Sequence, residues 1–374
     1  MKRLIPILIL MATACSPHVK DSTDNGLNLA DFLSGDTADC TEAIQAAIDS
    51  CSRSGARLTV PKGTYICGTL YLRDSVELHL EEGATLLGTD DPKAYKAFIP
   101  EHDLSRYDSG EGTQNSNSTK DAEWMRAFII ADRVKNVSIT GKGTIDGRHV
   151  FNPDGEENMR GPHTIVVAEA ENFMMDGVTV TRSANYAVLG YALENASFKN
   201  LHITEGWDGI HIRGGKNIRI TDCLFETGDD SIAGGYWENM LIAGCGINTS
   251  CNGIRMIMPS DGVEVRDCRF FGPGNYPHRT SGEARRNNML FGISLEPGAW
   301  GKASGDMKRI YLHDLTMEDL SSAISTSVRE GSRGMDLTME NITATGLKGS
   351  TSPVVSWNDL GFESIIVKNC SFTH

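Results

Sequence analysis

The sequence has no run of lysine or arginine. Its 374 residues carry 35 basic against 49 acidic side chains, a net charge of −14, and nucleic-acid binding needs a concentrated basic surface. A nucleic-acid partner is therefore excluded, and the absence of an acid-rich tail leaves no acidic interaction arm either. No glycine-rich loop opens a helix after a strand, which removes a nucleotide site. The cysteines stand nowhere in paired CxxC spacing, so neither a metal site nor a cofactor is expected. Long apolar runs are missing as well. The stretch Leu4 to Met11 is too short to cross a bilayer, and no other segment approaches the required length.

That short run belongs to "MKRLIPILILMATAC", in which two basic residues precede it and the small residues Ala12, Thr13 and Ala14 lead to Cys15. Such an arrangement is an export signal. It resembles a bacterial lipoprotein signal, whose cysteine becomes the lipidated first residue, although Ala12 stands where leucine is commoner. The expectation is lipidation at Cys15, with the acyl chains anchoring a monomer to a membrane surface in the cell envelope, on the outer membrane. The polar residues 16–28 read as a tether, leaving 29–374 as one folded unit. Export permits disulfides. Cys40 and Cys51 share a helix, however, about 16 Å apart at 1.5 Å per residue, too far to pair.

The helix is "DCTEAIQAAIDSCSRSG". Asp39 is placed to cap it, Ala43, Ile44, Ala47, Ile48 and Cys51 form one apolar stripe, and Gly55 stops it. We expect it over Thr41 to Ser52. From Leu58 onward helical periodicity is absent, and alternating runs such as "VELHL", "VSITG", "IRITD" and "VEVRD" recur between Gly, Asn and Asp turns.

Those turns are periodic. Asp176, Asn200, Asp222, Gly244 and Asp267 follow one another at 24, 22, 22 and 23 residues, and Asp314, Asn341 and Asn369 continue the series at longer intervals. Strands and turns repeating at such a period, with no helices between, form a solenoid. Cys223, Cys245 and Cys268 share one phase and are expected as a stack of buried, reduced thiols. The fold class is thus all-β, a single-stranded right-handed parallel β-helix with a short N-terminal capping helix. About ten coils make a rod roughly 45–50 Å long at the strand spacing of about 4.8 Å. Two stretches exceed a coil, Glu101 to Ala122 and Gly272 to Asn288. Each reads either as a loop lining a binding face or as a plain surface insertion.

A period of 22 gives meaning to "EGWDGIHIRGGKNIRITDCLFETGDDSIAGG", Glu205 to Gly235. It puts Asp208 and Asp230 at one phase on adjacent coils, with Asp229 next to the second. Like charges so close raise one another's pKa, so that one carboxyl stays protonated while another is ionised. Glycoside hydrolysis with inversion needs such a pair, about 6.5–9.5 Å apart. The competing reading is that aspartates at coil turns merely satisfy backbone amides, as Asp222 and Asp267 do.

The segments "DTADCTEAIQAAIDSC", "LTVPKGTYICGTLYLRDSVELHLEEGATLLGT" and "NVSITGKGTIDG", with "WDGIHI" and "GDDSIAGG" after them, resemble glycoside hydrolase family 28, the polygalacturonase and rhamnogalacturonase family. The likeness runs from about Gly35 to Asp267. It implies a pectin-lyase-like β-helix that hydrolyses a pectic or other plant-type glycan, with Asp229 as general acid and Asp208 and Asp230 holding and activating water. The sequence departs from the family pattern at three places. Gly206-Trp207-Asp208 replaces Asn-Thr-Asp, Asn252 stands where a histidine is expected, and Ser294 and Glu296 stand near an expected Arg-Ile-Lys. Glu296 would repel a uronate, and Arg255 in "NGIR" is a candidate substitute cation.

Trp207, Tyr236 and Trp237 lie beside the acids in sequence, either to stack on sugar rings or as ordinary turn packing. His211 reads as a substrate hydrogen-bond partner or a satisfied surface histidine. Arg279, Arg285 and Arg286 read as contacts for an anionic substituent or as solvated charge. Two other functions stay open. A polysaccharide lyase would need a basic residue as base and a cation on the uronate, and a non-catalytic glycan-binding β-helix would bind without turnover.

Overall fold

The computed structural model describes residues 26–33, 38–108, 117–300 and 305–374. Cys15 and residues 16–25 of the tether lie outside them. The rod starts two residues earlier than expected, because Leu27–Asn28 already pairs in parallel with Leu58 and Thr59.

The turns explain the coil. Asn200, Asp222, Asp267, Asp314, Asn341 and Asn369 all have φ between 49° and 55°, and Gly244 has 67°. A positive φ is costly for most side chains but tolerated by Gly, Asn and Asp, so the periodic residues are those that let the chain change direction. Asn195, Asn217 and Asn239, also at positive φ, join successive coils through their side chains. The Nδ2 of Asn239 donates to Asn217 Oδ1 at 2.7 Å, and that of Asn217 to Asn195 Oδ1 at 2.9 Å.

Twelve parallel strands stack in one continuous layer from Leu27–Asn28 to Phe362–Lys368. That is about two coils more than the turn spacing suggested and gives a length near 53 Å at about 4.8 Å per strand. The coils wind right-handed, the hand that strand twist imposes on parallel crossovers. A second layer stacks Ile165, Val188, Ile210, Ile232, Ile254, Ile293 and Ile324 in register. All seven are buried in the core, and full burial of each such side chain contributes roughly 1.5–3 kcal/mol. Cys223, Cys245 and Cys268 are free, buried thiols, each one residue before the register Leu224–Gly246–Arg269.

The helix runs Thr41–Ser54, one half-turn beyond expectation, and ends on Gly55 at φ 63°. Its buried face, Ile44, Ala47, Ile48 and Cys51, joins the core at the N-terminal end of the rod and covers strand edges that would otherwise template aggregation.

Both excursions return to one face. Phe98, Leu104, Tyr107, Trp124 and Met125 pack outside the coil against Val166, Ala168, Leu189 and Tyr191. The strands His163–Ala168 and Ile210–Thr221 are thereby buried on both sides over the segment that faces these loops. The second loop folds back over the next coils, where His278 and Arg286 meet the coil turns.

Candidate active site

Two residues before the isoleucine stack lies a second row, His163, Tyr186, Asp208, Asp230, Asn252, Phe291 and Ser322, held in step by the backbone bonds Thr164 N–H to Tyr186 O, Ala187 N–H to Asp208 O, Gly209 N–H to Asp230 O and Ser231 N–H to Asn252 O. The 22-residue spacing therefore does bring Asp208 and Asp230 onto adjacent coils, with Asp229 beside them. One oxygen from each of the three carboxyls lies within 4.8 Å of the others. This is closer than the roughly 6.5–9.5 Å expected of an inverting pair. The 4.8 Å is a distance between nearest oxygens, whereas the inverting range is a separation between whole carboxyl groups.

The three acids have different surroundings. Asp208 is buried, and that burial, followed by the charges of Asp229 and Asp230, raises its pKa well above the usual carboxyl value. Burial and Asp229 push Asp230 up to about 6, opposed by Arg255 and by Asn252. The backbone N–H and Nδ2 of Asn252 both donate to Asp230 Oδ1, at 3.2 and 2.7 Å. For Asp229 burial also acts upward, but the His278 ring and the Arg160 guanidinium outweigh it and hold the carboxyl below its ordinary value. His278 Nε2 is 3.6 Å from Asp229 Oδ1, and Arg160 Nη2 is 3.7 Å from Oδ2. In the empty site Asp229 is ionised, and the proton held among the acids sits on Asp208 or Asp230.

His211 is neither at the surface nor open to substrate. Its Nδ1 lies 2.6 Å from Asp208 Oδ2, its Nε2 accepts from Arg213 Nε at 3.2 Å, and the ring is stacked between Tyr186 and Trp300. Burial, then the charges of Arg213 and Arg255, push its pKa well down, so it is neutral. Arg213 itself is wholly buried, bonded to Tyr107 O and Asn117 Oδ1 with Trp300 against its face.

The aromatic expectations need correction. Trp237 is 1% exposed, and its Nε1 donates to Ile212 O at 2.8 Å inside the main core, so it cannot stack on a sugar. Trp207 is buried too, with Nε1 donating to Glu157 Oε2 and with Arg160 and Arg279 over its ring. It shapes the wall of the site and does not face a ligand. Tyr236 packs edge-on to Tyr107 with Arg106 over it, in a groove of about 610 Å³ that contains none of the three aspartates.

Glu296 is not an unpaired charge facing substrate. Its two oxygens accept from Arg255 Nε at 3.2 Å and Nη2 at 3.1 Å, and Ser294 Oγ donates to one of them at 2.7 Å. These contacts hold its pKa down against burial. Arg255 also approaches Asp230, with Nη1 3.7 Å from Oδ2, so the candidate cation already bridges two carboxylates. Arg279 sits beside His149 and Glu205, Arg285 is exposed, and Arg286 donates to Ser250 O and contacts Cys251 Sγ.

Sequence reasoning missed Arg160, His278 and Cys251, and it gave Arg286 no contact with the coil. His278 and Arg286 come from the loop 272–288 and Arg160 from the segment before strand His163–Ala168, and the only available signal was that the loop 272–288 is long and cationic. Asp229, Cys251 and His278 offer ligand atoms within 4.8 Å of one another, as do the three aspartates. Either set has the spacing to hold an ion, with Arg160, Arg255 and Arg286 already supplying positive charge beside them.

Comparison with known proteins agrees with this arrangement. Residues 53–268 match the sequence profile of glycosyl hydrolases family 28. The exo-poly-alpha-D-galacturonosidase of Dickeya chrysanthemi is 27% identical over 232 residues, 51% of this chain and 38% of that protein. A probable polygalacturonase of Vitis vinifera is 26% identical over 352 residues, 88% of this chain and 67% of that one. The chain thus spans well under half the length of the first relative and two thirds of the second. In structure, the polygalacturonase of Erwinia carotovora ssp. carotovora superposes with a TM-score of 0.68 at 19% identity, covering 96% of this chain and 95% of that one. The hyperthermoactive exopolygalacturonase of Thermotoga maritima gives 0.67 at 18%, covering 94% and 93%. More than half of the chain lies within the matched profile, and the chain belongs to glycosyl hydrolases family 28.

Proposed function

We propose that the protein is a glycoside hydrolase that cleaves a pectic glycan with Asp208, Asp229 and Asp230. The observation that carries this reading is the convergence of the three carboxyls within 4.8 Å, in surroundings that drive their proton affinities apart. Acid and base work from neighbouring carboxyls requires that difference.

The roles follow from the contacts. Near neutral pH Asp230 is largely ionised and Asp208 protonated, so Asp230 takes a proton from a water that Asp208 helps to hold. The water oxygen bonds to the anomeric carbon as the glycosidic C–O bond breaks. The proton held among the acids passes through Asp229 to the leaving oxygen, the proton that Asp230 takes from water restores it, and His278 and Arg160 hold the Asp229 carboxyl in place. Arg160 and Arg255 stabilise the carboxylates between turnovers. With acid and water on opposite faces of the sugar the product is inverted.

The chain is read further as an exported monomer anchored through lipid on Cys15. Incorporation of labelled fatty acid that is lost in Cys15→Ser checks the anchor. The hydrolase reading is tested by incubating de-esterified pectin, rhamnogalacturonan and neutral glycans with wild type and Asp229→Asn, following product anomers by NMR. Saturated, inverted products that vanish in the variant are expected. Unsaturated products would indicate a lyase, and binding without turnover a non-catalytic protein.

A further inference from the structure

The two directions along the register row differ. On the side of lower residue numbers, the positions that precede Asp208 are Tyr186 and His163, both buried. Trp124 lies edge-on to both rings, at 4.7 Å from His163 and 5.4 Å from Tyr186, and Tyr186 lies flat on His211 at 4.7 Å. Arg160, itself buried, covers Tyr186 and Trp207 at 5.5 and 5.2 Å. Trp124 and Arg160 of this wall also border a crevice of only about 180 Å³, whose other charged residues, Asp121, Glu123, Asp154 and Glu156, are all acidic. A chain of uronates continuing that way would meet closed packing first and an excess of negative charge with it.

On the other side the row opens. After Asp230 come Asn252 and then Phe291, which is only partly buried. The side chain of Arg255 is 30% exposed. Trp357 is 64% exposed and sits edge-on to Phe291 at 5.8 Å. Phe291 lies two coils beyond Asp230, about 10 Å along the rod at about 4.8 Å per strand, and Trp357, which follows the strand Val355–Ser356 two coils further on, reaches back to it. An exposed tryptophan beside a partly exposed phenylalanine gives a flat apolar surface of the kind sugar rings cover. Asn252 Oδ1 is buried without a hydrogen-bond partner among the described residues, an acceptor awaiting a donor.

The geometry points to a one-ended site: the protein takes a single terminus of its glycan against the Arg160–Tyr186–Trp124 wall, with the remainder lying over Asn252, Phe291 and Trp357. Resting on the hydrolase reading above, this makes the cleavage exo-acting, with short products released from one chain end. Trp357 is the distal subsite, and it holds a sugar the reaction does not touch.

Binding to the Asp229→Asn variant tests the inference without requiring turnover. Two hexagalacturonides are compared, one capped with a bulky fluorophore at its reducing end and the other capped at the terminal hydroxyl of its non-reducing end. A one-ended site binds one of them at least tenfold more tightly than the other. Trp357→Ala weakens the preferred hexamer several-fold, and weakens a dimer less. Equal binding of both capped hexamers, or of neither, overturns the inference. One-sided binding with no hydrolysis by the wild type would leave this inference standing and count against the hydrolase reading instead. With turnover, product chain lengths give a second check. Stepwise release of short products is expected, and early accumulation of mid-length fragments would overturn the exo assignment.

Discussion

His278 and Asp229 are 49 residues apart in sequence, yet His278 Nε2 lies 3.6 Å from Asp229 Oδ1. A loop that leaves the rod returns its imidazole to the catalytic row, where the family likeness supplied Asn252 instead. With Arg160 at the other oxygen, the pair keeps Asp229 ionised in the empty site.

Removing the imidazole removes part of what holds Asp229 down. In His278→Gln the Asp229 carboxyl rises toward its ordinary value. A higher pKa keeps the acid protonated to higher pH, so the alkaline limb of kcat/KM is expected to move to higher pH. Asp229→Asn is expected to lose about 10²–10⁴ in kcat, the usual worth of a positioned acid. An unchanged pH profile in His278→Gln would mean that His278 does not hold Asp229 down.

Asp230 predicts the acid limb. A general base works only when ionised, so with its pKa pushed to about 6, activity falls as pH drops through that region. Arg255 is one of the groups that keep the value from going higher, so an Arg255→Met, Glu296→Gln double variant moves the limb upward. The second change avoids leaving Glu296 as a buried unpaired charge. A limb that stays in place, measured by initial rates across pH 4–8, would mean another group titrates there.

The β-helix was legible because its constraint is local and periodic. A positive φ at each turn admits few residue types, and Asn200, Asp222, Gly244 and Asp267 announce the coil in the sequence. Asp208 and Asp230 were legible for the same reason, since period alone sets their register. What period does not carry is the landing point of an excursion. Arg160 and His278 reach Asp229, and Arg286 reaches Cys251 beside it, through loops whose paths are set by tertiary packing. Facing direction was lost at the turn after Gly235, where Tyr236 takes φ 54° and the alternation that would have put Trp237 outside is broken.

That inward turn gives a stability prediction. Trp237 fills the core and its indole N–H satisfies the Ile212 carbonyl. Trp237→Ala is expected to cost about 3–5 kcal/mol, in the range of large aromatic truncations, as read by chemical denaturation. Tyr236→Ala, at a partly exposed position, is expected to cost much less. Equal costs would place both rings in similar surroundings and contradict the core assignment.

The last prediction concerns how Asp208 is held. Arg213 has donors only, so its Nε–H pointing at His211 Nε2 requires a lone pair on that nitrogen. The neutral ring must then carry its proton on Nδ1, where it donates to Asp208 Oδ2 at 2.6 Å. A proton on Asp208 is thereby confined to Oδ1, the oxygen left to meet water. Arg213 and His211 are positioning residues, and losing the arginine frees the ring to take the other tautomer. Arg213→Met is expected to lower kcat about 10–100-fold while changing KM little, because the effect falls on the orientation of one carboxyl. Nitrogen-15 NMR of the His211 ring reads the tautomer directly: Nδ1 protonated in the wild type, mixed in the variant. A wild-type ring protonated on Nε2 would overturn this, since the Nε–H of Arg213 would then find no lone pair on the ring.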